Sequence, residues 1–137
     1  MASRPEQLER GRKRIQEIFG EFAPEIRAGF EDIAPDFFEY ADEYVFGGLW
    51  CREGIDLKTR IQIVIGALTV LGLDFTLGHH IRAALVNGLT KQEIIETIMA
   101  VAPYGGHPRA IGAFRVAKAA FTEWDARHPD QARSNAS

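Results

Sequence analysis

The stretch LKTRIQIVIGALTVL, Leu57 to Leu71, decides the fold. After Arg60 it is apolar on almost every side, which predicts a central, buried helix. Asp56 precedes it and is a good N-cap, because its carboxylate can accept hydrogen bonds from the backbone NH groups that a first helical turn leaves unpaired. Gly72 follows as a stop signal. These features together indicate one well-bounded helix of 15 residues.

The segments on both sides of this helix also have helical patterns, separated by short breakers and without strand-like alternation of any length. Helices are expected over about residues 5–19, 23–30, 35–46, 75–87, 91–104 and 108–124. Thr90 and Glu93 form a capping-box pattern before the fifth of these. The sequence therefore predicts an all-α protein, a compact bundle of about six helices. It predicts one domain over residues 1–125 and a disordered tail over 126–137.

Composition excludes several functional classes. The net charge of -3 is small and no face collects many Lys and Arg residues, so nucleic acid is not an expected partner. No stretch reaches the roughly 18 apolar residues of a membrane span, and the N-terminus has no apolar signal region. Cys51 is the single cysteine, which excludes an internal disulfide and suggests a reducing compartment. A soluble, cytoplasmic protein that acts on a small molecule is expected.

Two adjacent histidines are the first candidates for chemistry. Neighbours on a helix point about 100° apart, so His79 and His80 are not expected to share one role. His80 lies at the edge of an apolar stripe, where a histidine can reach a cleft and be oriented by a partner, or can simply be a satisfied boundary residue. His79 lies nearly opposite the stripe and is expected to be exposed or in a subunit contact. The stripe consists of Leu77, Ile81, Ala84 and Leu85.

A second set of candidates is aromatic and basic. Trp50 and Arg52 share a loop, as an apolar wall and a cation would in a site for a flat carboxylated molecule, although surface packing of arginine on tryptophan is the commoner explanation of such a pair. Arg82 and Tyr104 are similarly ambiguous. No histidine has a partner four residues away and Cys51 has no cysteine partner, so no metal site is expected.

Four runs of sequence resemble the carboxymuconolactone decarboxylase family, especially its decarboxylase branch. They are YVFGGLWCREGID from Tyr44, GIDLKTR from Gly54, HIRAALVNGLTKQEI from His80 and APYGGHPRAIGAFRVAK from Ala102. The resemblance implies an all-helical fold that assembles into a homo-oligomer, a trimer or hexamer. It also implies a reaction without a cofactor, in which a carboxylated muconolactone loses carbon dioxide.

The resemblance also implies roles for particular residues. His80 matches the histidine of the decarboxylase motif and is the expected proton donor or oxyanion partner. Arg52 and Arg82 match arginines that would hold substrate carboxylates, and Trp50 and Tyr104 match aromatic positions of the pocket wall. His107, which is unusual in this branch, is added to the residues expected to bind substrate.

Departures from the family pattern leave two alternatives to a decarboxylase open. Leu73 and Thr76 stand where the redox branch of the superfamily has its cysteine pair, so dithiol peroxidase chemistry is excluded at this position. Gly48 stands in place of a common acidic residue, and Ala110 in place of a common Asn. The chain is then either a decarboxylase, a paralogous enzyme that uses His80 and His107 on another cyclic substrate, or a non-catalytic oligomeric binding protein.

Overall fold

A computed structural model describes the backbone of residues 3–135 and the side chains of residues 3–133. The α-helices are α1 (Arg4–Phe19), α2 (Pro35–Tyr40), α3 (Leu57–Leu71), α4 (Asp74–Val86), α5 (Lys91–Gly105), α6 (His107–Arg127) and α7 (Pro129–Asn135). Short 3₁₀ turns occupy Gly20–Glu25, Glu31–Ile33 and Leu49–Cys51, and a π-helical turn occupies Ala41–Phe46. Residues 3–135 contain no strand, so the all-α prediction is confirmed.

The predicted ends of α3 are confirmed. The Asp56 carboxylate accepts a hydrogen bond from the Thr59 NH at 2.7 Å, and Gly72 ends the helix with a positive φ of 71°, a conformation that suits glycine. Helix α3, predicted to be the central buried helix, is buried on one side only. Ile61 and Ile65 are fully buried, but Ile63 is 58% exposed and one side of the helix is open.

The core lies where α3, α4, α5 and α6 pack together, and α1 packs against α4. Helix α6 contributes a stripe of small residues, which allows its neighbours to approach closely. Fully buried isoleucine and leucine side chains fill the rest: Ile18, Ile61, Ile65, Leu77, Ile81, Ile94 and Ile98. Helix α4 contacts α1, α3, α5 and α6, so a side chain on α4 has a fixed position in the bundle.

Helix α1 is held tightly against the π-helical turn. In this turn the Gly47 NH donates to the Asp42 carbonyl, five residues back, at 2.9 Å. A methyl group on Gly11 of α1 would overlap that same carbonyl oxygen, so glycine is required for the close approach. The contact fixes the aromatic segment of residues 37–46 relative to α1 and α4.

Two segments differ from the prediction. The expected helix over 23–30 is replaced by the 3₁₀ turn Gly20–Glu25 and irregular turns, and Gly29 has a positive φ of 90°, which an α-helix does not allow. The tail is helical rather than disordered: α6 continues to Arg127, α7 follows, and the His128 ring stacks on Trp124 with centroids 3.8 Å apart. Residues 1–2 of the predicted domain and 136–137 of the predicted tail lie outside the described residues.

None of the helices within residues 3–135 is both long enough and apolar enough to cross a membrane.

Candidate functional site

An aromatic cavity of about 390 Å³ lies between the end of α1, the segment of residues 26–46 and the first half of α4. It is lined by Phe19, Ile26, Arg27, Phe30, Phe37, Phe38, Ala41, Phe46, Phe75, Thr76, His79 and His80. Three larger depressions, of about 700, 670 and 580 Å³, are lined by α3 and α5, by residues near α7 and by α6. None of them includes a histidine, so the smaller cavity is the better candidate for acid–base chemistry.

The ring of His80 is fixed by aromatic neighbours. Its side of α4 faces the core, and the residue is only 8% exposed. Its ring stacks on Trp50, with centroids 5.8 Å apart, and meets the edge of Phe19 at 5.4 Å. Its Nδ1 atom is buried and has no hydrogen-bond partner among the described residues. Packing rather than hydrogen bonding therefore orients this imidazole.

Burial determines the charge of His80. Loss of solvation, with a smaller contribution from the adjacent His79, lowers the pKa of His80 from its usual 6.5 to about 4. The imidazole is therefore neutral at neutral pH. In this state it carries one NH that can donate a hydrogen bond and one nitrogen that can accept a proton. Proton donation to a substrate then requires a negative charge beside the ring, which would raise the pKa again.

His79 reaches the same cavity, contrary to the prediction that it is exposed or in a subunit contact. Its ring is half-buried and lies edge-on to Phe75, with centroids 4.8 Å apart. One guanidinium nitrogen of Arg82 lies 3.4 Å from Nδ1, while Nε2 is buried and has no partner among the described residues. Burial and the Arg82 charge lower the pKa of His79, and Glu25 opposes them. The segment of residues 26–46 covers this side of α4, which helical periodicity alone cannot reveal.

Trp50 stacks on the His80 ring but does not line the cavity. The indole is 7% exposed and stacks on Phe46, with centroids 6.3 Å apart. The Arg14 Nε of α1 donates to the Trp50 carbonyl at 2.9 Å, which fixes the backbone of the 3₁₀ turn. Trp50, which the family resemblance places in the pocket wall, thus contacts the His80 ring and positions it.

One member of a buried ion pair that sequence patterns did not predict, Arg27, belongs to the cavity lining. The Arg27 guanidinium donates to the Asp42 carboxylate at 2.5 Å and lies over the Phe38 ring. Arg12 lies 3.5 Å from the other oxygen of Asp42, which is 7% exposed. Asp42 falls four residues from both Phe38 and Phe46 and therefore on their helical face, and this spacing was the available signal.

The other residues that were predicted to bind substrate do not line the aromatic cavity. Arg52 is exposed, and its carbonyl accepts a hydrogen bond from Arg60 at 3.1 Å. Tyr104, at the end of α5, is 85% exposed, and His107 is exposed in the first turn of α6. Arg82 contacts His79, which lines the cavity, but the Arg82 Nε is paired with Glu123 at 2.9 Å.

The single thiol and the acidic residues show no further arrangement for chemistry. The Cys51 thiol donates to the Phe46 carbonyl at 3.1 Å. In the described part of the chain, no group of three or more His, Cys, Asp or Glu residues is arranged to hold a metal ion.

Comparison with known proteins identifies a matching family and three similar proteins. The model of the carboxymuconolactone decarboxylase family matches residues 35–119. The chain is 33% identical over 92 residues to the 4-carboxymuconolactone decarboxylase of Acinetobacter baylyi. These 92 residues are 67% of this chain and 69% of that protein.

Two further relatives match over shorter parts. An uncharacterised 15.0 kDa protein of Paracoccus denitrificans is 41% identical over 85 residues, 61% of this chain and 63% of that protein. The nitrosuccinic acid decarboxylase of Metarhizium robertsii is 36% identical over 78 residues, 57% of this chain and 54% of its own length. The matches therefore span less than two thirds of these two relatives. Two of the three similar proteins are named decarboxylases.

Proposed function

The chain belongs to the carboxymuconolactone decarboxylase family, and we propose that it is a lyase that removes carbon dioxide from a small carboxylated ring compound without a cofactor. The substrate class includes lactones such as 4-carboxymuconolactone, and the biological setting would be the breakdown of aromatic compounds. The observation that carries the proposal is a buried, neutral histidine, His80, at the end of an almost entirely apolar cavity.

The apolar walls favour loss of carbon dioxide. A carboxylate placed among phenylalanine rings loses its hydration, whereas the departing, uncharged carbon dioxide does not need hydration. As the C–C bond breaks, its electron pair passes to a conjugated carbonyl and forms an oxyanion. The cavity therefore disfavours the starting carboxylate more than the dispersed charge of the transition state.

His80 then performs two tasks in the proposed reaction. Its NH donates a hydrogen bond to the growing oxyanion, and the negative charge beside the ring raises its pKa from the low value of the empty cavity. A proton taken up from solvent can then pass through His80 to the dienolate, at the carbon beside the carbonyl. The balance is one carboxylate and one proton consumed, and one carbon dioxide and one C–H bond formed.

The test is carbon dioxide release by the purified chain. A panel containing 4-carboxymuconolactone, other carboxylated lactones and carboxylated cyclic enones would be incubated with the protein, and headspace carbon dioxide measured. Catalytic release from at least one member is expected, with a product that carries one deuterium on the carbon beside the carbonyl when the reaction runs in D₂O. A panel whose members bind unchanged would contradict catalysis and favour the non-catalytic binding protein.

We propose further that copies of this chain cover the open side of α3 as a trimer or hexamer. Ile63, Leu71 and Met99 on α3 and α5 are each more than half exposed, beside a largely apolar groove. Light scattering after gel filtration is expected to give three or six times the mass of 15.3 kDa. Ile63→Glu should lower that mass; a monomeric wild type would contradict this assembly.

A further inference from the structure

An aromatic stripe beside the aromatic cavity is open to solvent. It consists of Phe37, Tyr40 and Tyr44, at three- and four-residue spacing along α2 and the π-helical turn, each at least 60% exposed. Phe37 also lines the cavity, so this part of the cavity wall is itself exposed. At about 200 Å² per aromatic residue, the stripe exposes on the order of 400 Å² of apolar surface. An apolar patch of this size marks a contact surface.

The surroundings of the aromatic stripe are acidic. Asp32 and Asp36 are exposed and form no ion pair with any described residue. Arg4 lies over the Tyr40 ring but is already paired with Glu43 at 2.7 Å. Residues 28–51 contain no Lys or Arg and six acidic residues, which are Glu31, Asp32, Asp36, Glu39, Asp42 and Glu43. The stripe therefore fits a partner with an apolar centre and unpaired positive charge, whereas an anionic lipid surface would be repelled.

The exposed face of α6 has these properties. His107, Ile111, Arg115 and Lys118 follow one another at four- and three-residue spacing, so they share one face of the helix, and all four are exposed. Residues 97–122 contain no Asp or Glu, and neither Arg115 nor Lys118 has an ion pair within residues 3–133. A groove of about 580 Å³ on this face is lined by Ile111, Phe114, Arg115, Lys118 and Ala119. The face thus combines an apolar groove with unpaired cations.

We infer that a second copy of this chain places its α6 face on the aromatic stripe of the first copy and thereby completes the wall of the aromatic cavity at Phe37. Arginine and lysine pack on aromatic faces and pair with the exposed carboxylates of Asp32 and Asp36. The contact uses none of the residues that line the groove beside α3. The inference goes beyond the proposed function, because it concerns how the cavity is closed and not which reaction takes place in it.

The available area agrees with a contact between copies. A stable interface buries about 800 Å² on each partner, with an apolar core and a polar rim. The aromatic stripe supplies about half of that area, and its acidic surroundings supply a rim of the sign opposite to that of α6.

Charge reversal tests the pairing of the two surfaces. Asp32→Lys/Asp36→Lys and Arg115→Glu/Lys118→Glu each place like charges in the contact, so each should lower the mass measured by light scattering after gel filtration. A chain with all four substitutions has exchanged the two signs and should regain the wild-type mass. Wild-type mass in both double variants, or no recovery in the fourfold variant, would overturn the inference.

Two further reversals are the matched controls. Lys13→Glu and Glu53→Lys change exposed charges that belong to neither surface and have no ion pair among the described residues. Both should keep the wild-type mass. A loss of mass in the controls equal to that in the double variants would show a general effect of charge and contradict the assigned contact.

A cross-link identifies the occupant of the aromatic stripe directly. Tyr40→p-benzoylphenylalanine would be irradiated in a mixture of ¹⁴N- and ¹⁵N-labelled chains and the products mapped by mass spectrometry. Cross-links between chains are expected within residues 107–122, and Ile63→Glu, which alters the groove beside α3, should keep them. Cross-links confined to the same chain, or directed to α3 or α5 of another chain, would contradict the docking of α6.

Ligand binding tests whether the second copy completes the cavity. Arg115 and Lys118 do not line the cavity of their own chain, so Arg115→Glu/Lys118→Glu can weaken binding there only through the neighbouring copy. Titration with cyclohexanone, an uncharged ring, should give an affinity at least about threefold lower in this variant and the wild-type affinity in the fourfold variant. Unchanged affinity at a reduced mass would overturn the shared cavity wall. None of these measurements uses turnover, so a failure of the decarboxylase proposal leaves their outcome unaffected.

Discussion

The imidazole of His80 lies stacked on the indole of Trp50, with centroids 5.8 Å apart and ring planes 19° apart. Trp50 stacks in turn on Phe46, which lines the aromatic cavity. Because Nδ1 of His80 has no hydrogen-bond partner among the described residues, aromatic packing sets the direction of this ring. The position of the imidazole therefore depends on Trp50, which lies outside the cavity lining.

Shortening Trp50 should destabilise the fold and release His80. Trp50→Ala removes a 7% exposed indole from the packing between α1 and α4 and should lower the free energy of unfolding by about 3 to 5 kcal/mol. Trp50→Phe keeps a ring beside His80 and should lose less. Urea unfolding followed by circular dichroism measures both, and a loss below about 1 kcal/mol in Trp50→Ala would contradict the packing described.

Stability should depend on the charge of His80. The folded-state pKa of about 4 lies below the usual 6.5, so between these values the unfolded chain binds more protons than the folded one. The free energy of unfolding should therefore be highest above pH 6.5 and fall as the pH drops to 4, by on the order of 3 kcal/mol from this group.

His80→Gln isolates this contribution. The difference in unfolding free energy between wild type and His80→Gln should shrink as the pH falls from 7 to 4. His107→Gln, at an exposed histidine outside the cavity lining, should keep the wild-type slope. A parallel pH dependence in wild type and His80→Gln would show that His80 is not held neutral by burial.

Loss of Asp42 should be costly, whereas loss of its second partner should not. Asp42→Asn leaves Arg27, whose side chain is 14% exposed, as an uncompensated charge and should cost about 3 to 5 kcal/mol. Arg12 is 59% exposed at its side chain, so Arg12→Ala should cost less than about 1 kcal/mol. Similar losses in both variants, measured by urea unfolding, would contradict the assignment of Arg27–Asp42 as the buried pair.

The contact between α1 and the π-helical turn should not tolerate a side chain at Gly11. Gly11→Ala places a methyl group on the Asp42 carbonyl, so the helix and the aromatic segment must separate. A loss of at least about 2 kcal/mol is expected, with weaker binding of a cavity ligand. Gly54→Ala meets no atom within 4 Å and should stay within about 0.5 kcal/mol of wild type. Equal stability of the two variants would refute the close approach.

The features that the sequence predicts well are those made by neighbours in the chain. The N-cap at Asp56 and the capping box of Thr90 and Glu93 are hydrogen bonds over three residues, and both are present. The exposed side of α3 was missed because an apolar helix face does not show whether another helix of the same chain packs against it. Helix α7 was missed because His128 and Trp124 pack together only after α6 has formed.

Only the part of the candidate site that depends on neighbours in the chain could be predicted. His80 follows from the apolar stripe of α4 and from the family resemblance. His79 does not, because a covering segment 33 to 53 residues earlier in the chain brings it into the cavity. The spacing of Asp42 from Phe38 and Phe46 places it on their helical face, but it does not identify Arg27, 15 residues earlier in the chain, as its partner.

The rate of carbon dioxide release by His80→Gln tests the central claim most directly. The measurement uses the best substrate of the panel at saturation, at pH 8, where unfolding experiments first establish that the variant is folded. His128→Gln, a histidine substitution beside Trp124 and outside the cavity lining, is the control. We expect His80→Gln to be slower than wild type by about a hundredfold or more, with the control within about twofold. A His80→Gln variant that retains the wild-type rate would contradict the role of His80 in proton transfer.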